Sequence, residues 1–286
     1  MRILDTPDAM QAWADGERSA GRRLALVPTM GALHEGHLEL VRVARRHAER
    51  VVVSIFVNPM QFNRRDDFER YPRPLDADVG QCAAAGADAV YAPTAGAMYP
   101  EGYASVVEVS GLSEPLCGRT RPGHFRGVTT VVTKLFHAVR PHVAVFGEKD
   151  WQQLAVIRRM SADLDFGIEI VGVPTVREAD GLALSSRNRL LSGEARAAAV
   201  CVPRALDAAA AALAAGETDA RAIVDRVAGV LSAEPQARLE YAELRDPGSL
   251  VEVAEVTAPT LLALAVWVGG VRLIDNRILT PEETDR

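Results

Sequence analysis

Two histidines three residues apart, His34 and His37, stand in the stretch PTMGALHEGHL at residues 28–38. An apolar run, Leu24 to Val27, precedes them, and Leu38, Val41, Ala44 and Ala48 follow at helical spacing. Both imidazoles therefore sit at a helix N-terminus. There the backbone N–H groups and the positive end of the helix dipole favour an anion, and Gly31, Ala32 and Gly36 are small enough to let it approach the backbone. A zinc site is disfavoured: metalloprotease helices place histidines at i and i+4 around a Glu, whereas Gly36 lies inside this shorter spacing and no further His or Cys ligand is indicated. A helix cap and a nucleotide phosphate site are the other two readings. In the second, the imidazoles would donate hydrogen bonds to phosphate oxygens as negative charge moves onto a leaving group.

Lys149, on the turn Gly147, Glu148, Lys149, Asp150, offers an ammonium to phosphates or to a reacting carboxylate, or else pairs in solvent with its acidic neighbours. Ser185, Ser186 and Arg187 supply two hydroxyls and a guanidinium fork that suit phosphate oxygens. Asp180-Gly181 before them supports a shaped turn; a Ser/Arg loop without a ligand is the alternative. The amides of Gln61 and Gln153 donate and accept together, which suits a hydroxy acid, although a single glutamine is more often an ordinary surface residue. Met30 and Phe62 suit apolar walls or core packing.

These residues need a scaffold, and the hydropathy pattern supplies one. A helix is expected over residues 8–20, a strand at 24–28, a helix ending near 49 and a strand at 51–57. The run Val51 to Val57 is continuous and β-branched, as in a strand covered on both faces of a parallel sheet. The loop 58–63 then leaves the carboxyl edge where open α/β sheets bind ligands. Helices at 76–85, 128–139 and 150–160 alternate with strands at 87–91, 143–146 and 168–173. The expectation is an α/β, Rossmann-like doubly wound parallel sheet. A polar loop at 176–192 marks a boundary, with a hinge near 174–190. Beyond it, alanine-rich helices at 193–215 and 219–233 and strands at 237–244, 260–268 and 271–275 suggest a smaller α+β domain. The domains are expected at 1–175, catalytic, and 176–286, a lid.

The 286 residues, 48% of them hydrophobic, suffice for two cores. A net charge of -6 argues against a broad nucleic-acid surface, while small anionic substrates remain possible. Cys82, Cys117 and Cys201 are widely spaced, which fits reduced thiols in the cytoplasm. Residues 1–23 lack the pattern of a secretory signal, and the run Leu261 to Val268 is far short of the roughly 20 residues a membrane helix needs. No membrane partner is expected.

The strand-to-helix passage resembles the HIGH signature of adenylate-forming nucleotidyltransferases. The strings PTMGALHEGH, SIFVNPMQF, FGEKDWQQL and PTVREADGLALSSRN, in this order, resemble the pantothenate synthetase (pantoate–β-alanine ligase) family. The resemblance runs from about residue 22 to 195, with an echo at Tyr241-Ala242-Glu243-Leu244. It implies that ATP and pantoate form pantoyl adenylate and pyrophosphate, and that the β-alanine amine then displaces AMP to give pantothenate.

By that resemblance His34, His37 and Lys149 are catalytic, with His37 as proton donor. ATP would contact Met30, Gly31, His34, Gly36, His37, Gly147, Glu148, Lys149, Asp150, Val176, Leu184, Ser185, Ser186 and Arg187. Pantoate and β-alanine would meet Gln61, Gln153, Met30 and Phe62, with Arg121 as a lid contact. Magnesium is implied mainly on the ATP phosphates. Relatives often carry a second acid where this chain has Ala77, which leaves Asp78 and Gln81 as outer-shell candidates. A homodimer is implied by the resemblance alone. The nearest alternative is an adenylyltransferase of the same superfamily; a nucleotide-sensing module without turnover is another class, and a tRNA synthetase is weaker because the chain is acidic.

Overall fold

Val51, Val52 and Val53 have no exposed surface, and neither do Leu24 to Val27 or Val143 to Val145. Strands buried on both faces belong inside a parallel sheet covered by helices. In the computed structural model, which describes residues 1–63 and 65–281 and the backbone alone at Asp66 and Asp67, they form its centre. The strands are β1 (Arg2–Leu4), β2 (Leu24–Thr29), β3 (Arg50–Ile55), β4 (Ala89–Tyr91), β5 (Val143–Gly147) and β6 (Glu169–Val173), in the order β1-β4-β3-β2-β5-β6. All pair in parallel. β2 is flanked by β3 and β5, so the order reverses there, and such a reversal opens a crevice at the strands' carboxyl ends.

The helix Glu35–His47 buries Leu40, Val41, Val43 and Ala44 and carries Arg45, Arg46 and His47 in its last turn, where cations complement the dipole. The helix expected at 128 begins at His124 instead, because Gly123, at φ 78°, turns the chain sharply and lets His124 and Phe125 be buried in the first turn. β1 lies outside the strands expected from the pattern. It is three residues at a sheet edge, largely exposed, with no apolar run to announce it.

Contacts divide the chain into two compact units: Met1–Glu148 with Val156–Pro174, and Lys149–Ala155 with Thr175–Arg286. The second unit holds an antiparallel sheet, β7 (Ala237–Arg245), β8 (Thr260–Val268) and β9 (Val271–Leu279), and the helices Gly193–Ala198, Cys201–Ala214 and Ala220–Ser232. The single helix expected at 193–215 is interrupted at Ala199 and Val200. Pro203 has no N–H to continue the ladder and sits in the first turn of the following helix. By length and composition Gly193–Ala214 could cross a membrane, yet half of its most apolar window is buried in the protein. Its Val202, Leu206 and Ala209 pack with Ile223, Leu264 and Val266 in the core of this unit.

At the opposite end of β2 from the histidines, the Leu24 N–H donates to His142 Nδ1 at 3.0 Å. Burial, then the charges of Arg18 and Arg23, hold the His142 imidazole below its ordinary pKa. A depressed folded pKa means that the stabilisation is complete above the unfolded value and is lost as pH falls through the folded one. The thermal midpoint should therefore fall more between about pH 7 and about pH 5 in the wild type than in His142→Gln, read by circular dichroism.

Candidate active site

At the end of β2 the Thr29 hydroxyl donates to the Ser54 carbonyl at 2.7 Å and accepts the Gly31 N–H at 3.2 Å. Gly31 and Ala32 then adopt left-handed φ values of 79° and 52°. Glycine is required at the first: a Cβ there would lie 2.8 Å from Asp78 Oδ2 and 3.1 Å from Ile55 Cγ2. Asp78, 1% exposed on the helix Leu75–Ala84, accepts the Ala32 N–H on Oδ2 and the Leu33 N–H on Oδ1, both at 2.8 Å.

His34 follows in extended conformation as the cap of the helix Glu35–His47, and its carbonyl accepts the His37 N–H at 2.8 Å. The His34 N–H points at His37 Nδ1, 3.3 Å away. That nitrogen accepts, so the neutral His37 ring carries its proton on Nε2 and can donate from there. The two rings lie 4.0 Å apart between centroids. Glu35 and Gly36, at the helix start, have no preceding helical carbonyl for their N–H groups. The passage brings together backbone N–H groups and two imidazoles, donor types that suit an anion.

Beyond β3, Asn58 opens the short turn Pro59–Gln61. Its Oδ1 accepts the Met60 N–H at 3.2 Å and the Tyr99 hydroxyl at 2.8 Å, so its Nδ2 must donate, and it does so to Gly127 O and Gln61 Oε1 at 3.0 Å each. The Gln61 amide is thereby oriented: its Nε2 is the donor end, and it donates to Met30 Sδ at 3.1 Å. The Gln61 carbonyl accepts His124 Nδ1 at 2.9 Å and an Arg121 N–H at 3.2 Å. Because a carbonyl only accepts, His124 carries its proton on Nδ1, and Nε2 faces Arg121 Nη1 at 3.1 Å. Burial and the neighbouring Tyr103 push the Tyr99 hydroxyl above its ordinary range, so it stays a donor. Phe62 packs edge-on against Tyr71, with centroids 5.8 Å apart.

Lys149, Asp150, Gln153, Val176, Leu184, Ser185, Ser186 and Arg187 all fall in the second unit. Asn276 Nδ2 donates to the Lys149 carbonyl at 2.9 Å, and Trp151 Nε1 donates to the Pro247 carbonyl at 2.9 Å, which ties this segment to β9 and to the loop after β7. The loop from Val176 to Leu184 is a small hairpin closed by Leu184 N–H to Val176 O at 3.0 Å and Glu178 N–H to Leu182 O at 2.8 Å, with Gly181 turning at φ 88°. Arg177 grips Asp275 through two bonds of 2.7 and 3.0 Å and caps the Gly181 carbonyl at 2.9 Å. Ser185 accepts the Arg187 N–H at 3.2 Å and so starts the turn Ser186–Leu190.

The structure thus collects the expected residues into two sets, one per unit. Met30, Gly31, His34, Gly36, His37, Gln61, Phe62, Arg121, Gly147 and Glu148 lie in the first. Asp78, named as an outer-shell candidate, is buried, and both its oxygens accept backbone amides. Gln81, one turn further on, is half-buried. Among the described residues no group of three His, Cys, Asp or Glu side chains could hold a metal ion. Asn58, Tyr99, His124, Arg177 and Asp275 were not singled out by sequence. Asn58-Pro59 is a turn signal that could have drawn attention; the others meet their partners only through the fold.

A sequence model of the family described as Pantoate-beta-alanine ligase matches residues 2–278. The pantothenate synthetase of Syntrophobacter fumaroxidans is 54% identical over 281 residues, covering 98% of this chain and 99% of that protein. The crystal structure of pantothenate synthetase from Thermus thermophilus superimposes with a TM-score of 0.93 at 44% identity, over 98% of this chain and 100% of the other. That of the pantoate-beta-alanine ligase from Francisella tularensis, complexed with beta-gamma ATP and beta-alanine, does so at 0.80 and 31% identity, over 97% of each chain.

Gly127 packs so closely that a Cβ would lie 2.5 Å from the Met60 carbonyl carbon and oxygen and 2.6 Å from the Gln61 nitrogen. Gly127→Ala should cost about 1–3 kcal/mol in urea unfolding through this overpacking. Arg177→Met, which leaves the Asp275 carboxylate, 2% exposed, without its cation, should cost about 3–5 kcal/mol in the same assay. Asp275→Asn, which removes the stranded charge, should restore part of that loss.

Proposed function

The chain belongs to the pantoate–β-alanine ligase family, and from that premise we propose that it joins pantoate to β-alanine through a pantoyl adenylate formed from ATP. In the first step a pantoate carboxylate oxygen attacks the α-phosphorus, and the bond from that phosphorus to the bridging oxygen breaks to release pyrophosphate. In the second, the neutral β-alanine amine attacks the acyl carbon. The new C–N bond replaces the C–O bond to phosphate, AMP leaves, and the amine gives up a proton.

The observation that carries this reading is the placement of His34 and His37 at a helix N-terminus beside the β2–β5 reversal. Negative charge builds on the α-phosphate and the departing pyrophosphate. Fixed donors there, His37 Nε2 among them, stabilise it without having to reorganise. Lys149 and the Ser185-Ser186-Arg187 segment carry an ammonium, two hydroxyls and a guanidinium, groups that suit a triphosphate. The Gln61 amide, held with its N–H end against Met30 Sδ, is suited to an acidic or hydroxylic oxygen of the organic acid, with Met30 and Phe62 as apolar residues; Gln153, in the second unit, carries an amide of the same kind. Arg121 supports this arrangement through the Gln61 carbonyl.

Magnesium enters only as an ion carried by the nucleotide's phosphates and water; among the described residues no group of three His, Cys, Asp or Glu side chains could hold it. The second unit is assigned the role of a lid. Cys82, Cys117 and Cys201, buried and outside any disulfide, fit a reducing cytoplasm. A homodimer follows from family resemblance, and the partners are small molecules, neither nucleic acid nor membrane.

His34→Ala, His37→Ala and Lys149→Ala should each reduce pantothenate formation by at least about 100-fold with little change in thermal midpoint. Product trapping checks the pathway: pyrophosphate release should need ATP and pantoate, and AMP release should need β-alanine. Near-normal synthesis by all three variants would sink the assignment, and an AMP group retained on the product would favour an adenylyltransferase.

A further inference from the structure

Among the described residues, Asp78 and Asp275 are the carboxylates buried to within 2% of full burial. Asp275 has Arg177 as its cation. No Lys or Arg pairs with Asp78 among the described residues; its partners are the Ala32 and Leu33 amides and the positive end of its own helix, in whose first turn it stands. The nearby Cys82 thiol is pushed up to about 12, by burial first and then by the negative charge of Asp78. A carboxylate is seldom taken out of water for so few partners unless the geometry it imposes is needed.

That geometry is the left-handed pair Gly31 and Ala32. Ala32 carries a Cβ and adopts φ 52° at a steric cost. Two charge-assisted bonds, one to its own N–H and one to that of Leu33, hold it there. The conformation in turn sets where His34 caps the helix and where His37 faces.

We propose that Asp78 is a positioning residue for the nucleotide: its carboxylate holds the Gly31–Leu33 backbone in the shape that presents the histidine-bearing helix N-terminus to phosphate, and it is not a partner of a metal ion. The proposal rests on reading that passage as the nucleotide site. Asp78→Asn keeps the side chain's shape but sets an NH2 against a backbone N–H. Gly31→Ala strains the same contact from the other side, since its Cβ would crowd Asp78 Oδ2.

ATP binding, measured by calorimetry in EDTA without any divalent cation, tests this. Asp78→Asn should weaken metal-free ATP about 10-fold and weaken magnesium–ATP by the same factor. Amide exchange at Ala32 and Leu33, followed by NMR, should accelerate. Gly31→Ala should bind metal-free ATP as poorly, and the double variant should be no worse than the weaker single one. An Asp78→Asn protein that binds metal-free ATP as the wild type does, and loses affinity only for magnesium–ATP, would overturn the proposal in favour of a metal role. Fully additive losses in the double variant would also overturn it. A wild type that binds no ATP in either condition would instead overturn the nucleotide-site reading on which the proposal stands.

Discussion

β2 hydrogen-bonds to β3 on one side and to β5 on the other, and the chain reaches each by a later crossover. Residues leaving its carboxyl end therefore emerge where the two halves of the sheet diverge. The strand is rigid because Leu24 to Val27 are wholly buried, so the passage that follows starts from a fixed point and a fixed direction. Its two left-handed residues and its buried carboxylate then convert that direction into a helix start bearing two imidazoles. Removal of the flanking pairings would leave the same motif with no defined place to act.

Around this point the structure settles polarity as much as position. Asn58 has its amide oriented by the Met60 N–H and the Tyr99 hydroxyl, and it passes that orientation to Gln61. His37 and His124 each have one ring nitrogen assigned by a backbone group of unambiguous sense. Donors fixed in this way need not reorganise as charge develops, which is the main means by which a polar site accelerates transfer at phosphorus. The cost appears as buried polar groups, close approaches such as that at Gly127, and backbone in the left-handed region.

The second unit applies the same logic with different materials. Its loop from Val176 to Leu184 is a short hairpin held by a bidentate Arg177–Asp275 pair, by Asn188 bridging Glu178 and the Ala183 carbonyl, and by Arg196 on Glu178 and Asp180. Ser185 spends its hydroxyl oxygen as an acceptor within the loop while its O–H proton remains to donate. Lys149 belongs to this unit because Asn276 and Pro247 anchor its segment, although in sequence it follows directly on a strand of the first sheet.

Much of this was legible in the residues alone. Continuous β-branched runs required strands buried on both faces, the periodicity after His37 required a helix, and small residues beside the two histidines marked a place where an anion can approach. These are local properties, set within a few residues of chain. The three-residue edge strand, the break at Ala199 and the early start at His124 escaped because capping, ring chemistry and pairing outweighed periodicity there. The work of Asp78 lay further out of reach: its sequence neighbourhood marks only an acidic helix start, and its partners Ala32 and Leu33 are more than 40 residues away. The excursion of Lys149–Ala155 into the second unit and the orientation of the Gln61 amide likewise depend on groups distant in sequence. Composition and spacing determined which chemistry was possible; only the tertiary structure decided which atom faces which, because a hydrogen bond's direction is set by partners the chain brings together after folding.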